Sequence, residues 1–329
     1  MTNAFVELVD LASERLGAAV VYANDEFFAP KEGLIKAAAP VWREGDYTER
    51  GKWMDGWETR RRRDLGPDMH DWCLIRLGGR GIVRGVDMHT AFFTGNYPES
   101  CAIEACDIDG LPTLEALTQA PWRALLPRTS LAGDAHNFLA VAALPAATHL
   151  RLRIFPDGGV ARLRVHGEIV ADWDRLRRRG DVDLAAVEHG GSVVACSNMF
   201  YGSRHNLIMP GEATHMGDGW ETERRRGPGH DWTIVRLGAE GTIRRVDVDT
   251  RHFKGNAPGA CGIDVATLTP GGALEQAQWR ELLPQTPLQP HTCHTFEDEL
   301  RATGDVTHAR LNIFPDGGIA RLRLFGRPR

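Results

Sequence analysis

Two short stretches hold much of the chain's reactive chemistry, and each is a version of the other. Asp55-Gly-Trp-Glu58-Thr-Arg60-Arg61-Arg62-Arg63 sets two acids and four guanidinium groups within nine residues, and Asp218, Glu221, Arg224, Arg225 and Arg226 recur in the same order. A glutamic acid can deliver or remove a proton. Arginine offers a planar fork of donors that matches a carboxylate. In an extended chain Trp57, Thr59 and Arg61 share one face, and Glu58, Arg60 and Arg62 the other. The stretch is therefore either a carboxylate clamp with an acid–base group beside it or a ladder of ion pairs.

Two further clusters repeat. His70-Asp71-Trp72 returns as His230-Asp231-Trp232. The histidine is a candidate base, but neighbours in a strand point to opposite faces, so Asp71 is not expected to orient His70. Asp87, Thr90, Phe93, Gly95, Asn96 and Pro98 are mirrored by Asp247, Thr250, Phe253, Gly255, Asn256 and Pro258. Gly-Asn ahead of proline marks a loop, where an asparagine either meets a ligand or caps its own turn. The expected catalytic residues are Glu58, His70, Glu221 and His230. The expected substrate-binding residues are Asp55, Arg61, Arg62, Asn96, Asp218, Arg224, Arg225 and Asn256. The repeated Pro-Asp-Gly-Gly turns read as structural.

Phosphate-loop, dinucleotide-binding, zinc-protease and serine-elbow motifs are all missing. His291 and His294 have no copy in the first half and make a weak metal pair. A divalent ion such as Mn²⁺ could activate a water, but the sequence defines no ligand set and no cofactor is certain.

Positioning these residues requires a scaffold, and the chain repeats that too. Residues 76–105 and 236–265 share 14 of 30 positions, and residues 149–164 and 308–323 share 13 of 16. The offset stays between 157 and 163, rising to 173 near the start of each copy. Two copies of this length are duplicated domains rather than a solenoid. The first is expected over 1–170 and the second over 191–329, with the charged segment 171–190 as linker.

Each copy reads as all-β. Leu150, Leu152 and Ile154 alternate with Arg151 and Arg153, and Leu163 and Val165 alternate with Arg162 and Arg164. With Pro156-Asp157-Gly158-Gly159 between them, these strands are expected to form a hairpin. Strands are also expected at 82–87 and 101–106, and short helices at 5–16 and 113–120. Short strands punctuated by Gly, Pro and Asn fit a β-sandwich or jelly roll in each copy.

Composition sets outer bounds. A chain of 329 residues with 42% hydrophobic residues can bury two cores. A net charge of −5 excludes a global basic field for nucleic acid, although only four of the 39 basic residues are lysine. No apolar run approaches a membrane span. The first residues lack a basic, then apolar, leader, and the six cysteines form no CxxC pair, so a reduced, cytoplasmic protein is expected.

The duplicated DGWETxRRR, HDW, RLG and FxGNxP motifs, with NDEFFAPKEGLI near the start and IFPDGG closing each half, resemble the allantoicase family. The resemblance spans about residues 5–326. It implies two tandem jelly rolls of the galactose-binding-like type. It also implies hydrolysis of allantoate to ureidoglycolate and urea in purine breakdown. Arginine forks would hold the substrate carboxylate, and a Glu or His would shuttle the proton. The start reads Asn24-Asp25 where the family usually shows Ser-Asp, and Gly33 stands opposite Asn206. The rival is a tandem carbohydrate-binding module without catalysis. A homo-oligomer is expected, because sandwich edges invite association.

Overall fold

Residues 71–89 alternate buried and partly exposed positions through most of their length, and this one strand organises the first half. The computed structural model describes residues 4–64 and 66–329 of the chain. These divide into two units, Met1–Val170 and Ala171–Arg329, each with its own sheets.

The first unit contains β1 (Val9–Asp10), β2 (Ala19–Ala23), β3 (Tyr47–Thr48), β4 (Gly51–Lys52), β5 (Trp57–Glu58), β6 (Asp71–His89), β7 (Ser100–Cys106), β8 (Arg123–Ser130), β9 (His136–Ala140), β10 (Ala147–Phe155), β11 (Gly159–Val160) and β12 (Arg162–Ile169). All their pairings are antiparallel. Residues 71–76 of β6 pair with β10, and its later residues 81–89 pair with β12. β2 joins the early half and β9 the late half. The strand thus passes from one layer of a jelly-roll sandwich to the other. Gly81 sits in the second pairing, where a Cβ would lie 2.9 Å from the Glu168 carbonyl oxygen, so only glycine fits that approach.

The second unit repeats the plan with β13 (Val182–Asp183), β14 (Ser192–Cys196), β15 (Trp220–Glu221), β16 (Asp231–Asp249), β17 (Ala260–Ala266), β18 (Arg280–Pro287), β19 (Cys293–Phe296), β20 (Val306–Phe314), β21 (Gly318–Ile319) and β22 (Arg321–Pro328). Its order β13-β22-β16-β20-β17-β18 matches β1-β12-β6-β10-β7-β8 strand for strand. The cores match as well. Trp57, Phe93 and Leu152 are fully buried in one unit, and Trp220, Phe253 and Leu311 in the other.

Three expectations change. The IFPDGG stretch is not a hairpin. β10 and β12 never pair with each other, because β6 lies between them. The Asp-Gly-Gly turn instead launches β11, which pairs with β5 and so fastens the turn to Trp57–Glu58. The segment 171–190 is not a free linker. It forms a short helix, Trp173–Arg177, and then β13, which pairs with β22 as β1 pairs with β12. Residues 5–16 do not form one helix. The Asp10 carboxylate accepts the amides of Ala12 and Val165 and draws the chain into β1. The other expected helix appears at Leu114–Thr118, with the Thr113 hydroxyl capping the Ala116 amide at 3.2 Å.

Candidate active site

The DGWET stretch is held from both sides. The Glu58 carbonyl accepts the amides of Phe28 and Ala29, and its own amide donates to the Ala29 carbonyl. On the other side β5 pairs with β11, and the Thr59 amide reaches the Gly158 carbonyl. Trp57 and Thr59 face the core, as period-two alternation requires. Their neighbour Glu58 is 8% exposed, and the Asn96 amide donates to its carboxylate at 2.7 Å. Burial pushes the Glu58 carboxyl above the usual glutamate range, and the Asn96 hydrogen bond only partly offsets this. The second unit holds the same pair, with Asn256 donating to Glu221 at 2.5 Å. Glu and Asn stand 38 residues apart in the first copy and 35 in the second.

The arginines divide into two kinds. Arg62 is engaged throughout: its Nη1 meets Asp71 at 2.6 Å and the His70 carbonyl at 3.1 Å, and its Nη2 meets Asp64 at 2.7 Å. Arg225 makes the equivalent ion pair with Asp231. Their backbone amides are held by Asp157 and Asp316, the acids of the Pro-Asp-Gly-Gly turns. These turns, read as structural, therefore set the course of the arginine segment. By contrast Arg61 and Arg224 are exposed and form no ion pair among the described residues. Of the four arginines expected to bind substrate, these two have guanidinium groups without a partner among the described residues.

Asp55 and Asp218 belong to the frame. Asp55 accepts from Arg162 at 2.8 Å and from the Val41 amide at 3.0 Å. Burial alone would raise its carboxyl. The Arg162 and Val41 hydrogen bonds outweigh that and hold it below the usual aspartate range. Arg162 is 1% exposed and also donates to the carbonyls of Ala38, Gly33, Asp55 and Ala161. Arg321 pairs with Asp218 at 3.2 Å, and burial with the nearby Arg323 lowers its guanidinium to about 10. Both buried arginines escaped the sequence reading, since in ARLR they occupy the polar places of an alternating strand.

The histidines are not joined to the glutamates by any hydrogen bond among the described residues. His70 Nδ1 lies 2.7 Å from the Asp68 carbonyl, and its ring packs on Phe155. It lines a separate cavity of about 200 Å³ with Trp72, Arg151 and Arg153. His230 packs on Phe314 and lies 3.1 Å from Asn312. Asp71 serves Arg62 and Asn24 rather than its neighbouring histidine. No group of three or more His, Cys, Asp or Glu among the described residues is arranged to hold a metal ion.

One exchange between the copies concerns partners as well as charge. Arg60 pairs with Asp25 at 2.7 Å, whereas Glu223 in the same place accepts from Asn198 at 2.8 Å. Asn198 takes the position of Asp25, so the acid is retained but moves to the other side of the contact. The Asp25 and Asn198 carbonyls accept the indole N–H of Trp57 and Trp220, a shared anchor the motif reading did not single out.

The allantoicase repeat model matches the chain twice, at residues 9–170 and 182–329. The chain belongs to the allantoicase family. It is 49% identical over 324 residues to a probable allantoicase of Burkholderia pseudomallei, covering 97% of this chain and 94% of that one. A probable allantoicase of Photobacterium profundum is 48% identical, with 98% and 97% covered. The crystal structure of the Saccharomyces cerevisiae allantoicase superposes with a TM-score of 0.81 at 33% identity, covering 97% of this chain and 92% of that one. A second allantoicase structure gives 0.83. The second family match begins at residue 182, where β13 starts.

Proposed function

We infer that the chain is an allantoicase, a hydrolase that converts allantoate and water to ureidoglycolate and urea. The observation that carries this is the doubled family match over nearly the whole chain. The Glu–Asn pair, which recurs in both units, gives the reading its chemistry. Expulsion of urea from the central carbon needs a proton on the departing nitrogen. A carboxyl that burial raises above the usual glutamate range suits that task. Asn96 and Asn256 fix the rotamer of the glutamate and offer an amide to the ureido groups. Arg61 and Arg224, with guanidinium groups that have no partner among the described residues, are the proposed holders of the substrate carboxylate. Arg62, Arg225, Asp55 and Asp218 position the segment, and His70 and His230 lie outside the proton-transfer step. Membership of an enzyme family favours catalysis over the tandem carbohydrate-binding module.

The cytoplasmic setting and a homo-oligomer are part of the proposal. Six free cysteines suit a reducing compartment, and no helix is long and apolar enough to cross a membrane. The edge strands β8 and β18 end their sheets and offer places for self-association. The test is incubation of pure protein with allantoate, with and without added Mn²⁺, and assay of urea and ureidoglycolate. Stoichiometric release of both supports the reading. No urea above background under either condition overturns it, and Mn²⁺-dependent release would assign the metal.

A further inference from the structure

The largest insertion between the aligned copies lies against the segment that holds the catalytic glutamate of only one of them. From Ile35 to Asp55 the first copy has ten more residues than the second has from Ile208 to Asp218. They fold as the β3–β4 hairpin with Trp42 at its base. One end is clipped to Phe27 and Phe28, the segment whose backbone flanks Glu58. There Arg50 donates to the Phe27 carbonyl at 3.1 Å and lies over the Phe27 ring, and Gly51 sits against Phe28. The other end rests on the loop that carries Asn96. There the Trp42 ring stands 5.7 Å from Phe92, with the Lys52 ammonium 3.8 Å from the Trp42 ring centre.

The second copy shows this surface without the hairpin. Phe200 and Tyr201, at the places of Phe27 and Phe28, are 68% and 65% exposed. Glu221 is half-buried where Glu58 is buried. Here Met216 reaches over the pair, its sulfur 3.3 Å from the Asn256 amide nitrogen.

We propose that residues 42–52 form a strap that keeps water from the Glu58 carboxyl, and that this makes the first copy the proton donor of the reaction. The proposal rests on the allantoicase reading. In the step, the Glu58 carboxyl gives its proton to the ureido nitrogen as the bond from that nitrogen to the central carbon breaks, releasing urea. A water adds its oxygen to that carbon and returns a proton to the Glu58 carboxylate, so the acid is regenerated. Strapless, the second copy leaves Glu221 open to water. Burial is the cause that raises the Glu58 carboxyl, and the Asn96 hydrogen bond opposes it. Of the charged groups in the flanking segments, Asp25 pairs with Arg60, Asp55 with Arg162, Asp157 holds the Arg62 amide and Arg50 the Phe27 carbonyl, while Arg61 forms no ion pair among the described residues.

Two variants of the full chain test this. One deletes residues 43–52, which gives the first copy the length of the second. The other combines Trp42→Ala with Arg50→Ala, which loosens both ends without shortening the chain. The carboxyl of Glu58 is titrated by carbon-13 NMR, identified by its loss in Glu58→Gln, and the pH profile of kcat/KM is recorded beside it. Both variants should bring the Glu58 titration down toward the ordinary glutamate range, and the alkaline limb of kcat/KM should fall with it. Each unit of that fall means about tenfold less of the acid form above the titration range. A Glu58 titration that stays put in the point variant, or in a folded deletion variant, overturns the strap. A parent chain that releases no urea overturns the allantoicase reading instead, while the titration still judges the strap.

Discussion

Replacing Arg162 by Met keeps an unbranched side chain of similar length but removes the buried counter-charge of Asp55. The guanidinium is 1% exposed and makes an ion pair with Asp55 at 2.8 Å, and it also satisfies four carbonyls. Removing one partner of a buried pair costs about 3–5 kcal/mol, because a charge is left in a medium that cannot solvate it. For a unit of this size about 1 kcal/mol moves the midpoint by roughly 2–4 °C, so the first unit should melt about 6–20 °C lower. Scanning calorimetry of the full chain reads this, and the transition of the second unit should stay in place. The Arg162→Met, Asp55→Asn double variant should recover part of the loss, since it strands no charge. The pH dependence has a definite sign. The Asp55 carboxyl lies below its ordinary value in the folded chain, so its contribution is full above about pH 3.9 and fades as acid titrates the folded group. The gap between parent and variant should therefore be full at pH 7 and close only in strong acid. A fall of less than about 2 °C, or a double variant no more stable than the single one, would refute the claim that this pair anchors the segment.

Other outcomes follow from the same contacts. Glu58→Gln should lower kcat by about 10²–10⁴-fold, the usual weight of a general acid. Because burial raises this carboxyl, its ionisation costs stability as pH rises through the folded value. Glu58→Gln should thus be the more stable protein at pH 8, and the advantage should vanish below about pH 4.3, which denaturant titrations at both pH values would show. Arg61→Ala and Arg224→Ala should raise KM for allantoate without moving the melting temperature, and a lowered melting temperature with unchanged KM would return both to a structural role. Cys293, exposed, should react first with a thiol reagent, whereas Cys101 and Cys261, pushed up to about 12 by burial, should react only on unfolding; mass spectrometry of the labelled native protein checks the order.

Much of this protein is written in its local sequence. The duplication, the period-two alternation of the strands and the family motifs are properties of neighbouring residues, and they sufficed for two all-β units of one family. Glu58 and Asn96 were also within reach, since both sit in repeated motifs. Only the tertiary structure joined them, across 38 residues. It likewise decided that Arg62 faces Asp71 while Arg61 stays exposed, and that β6 separates β10 from β12. The physical reason is that alternation reports which face a side chain takes but not what lies opposite it. A buried arginine with five acceptors, such as Arg162, and a solvated one, such as Arg61, have the same local pattern, and only distant carbonyls and carboxylates distinguish them.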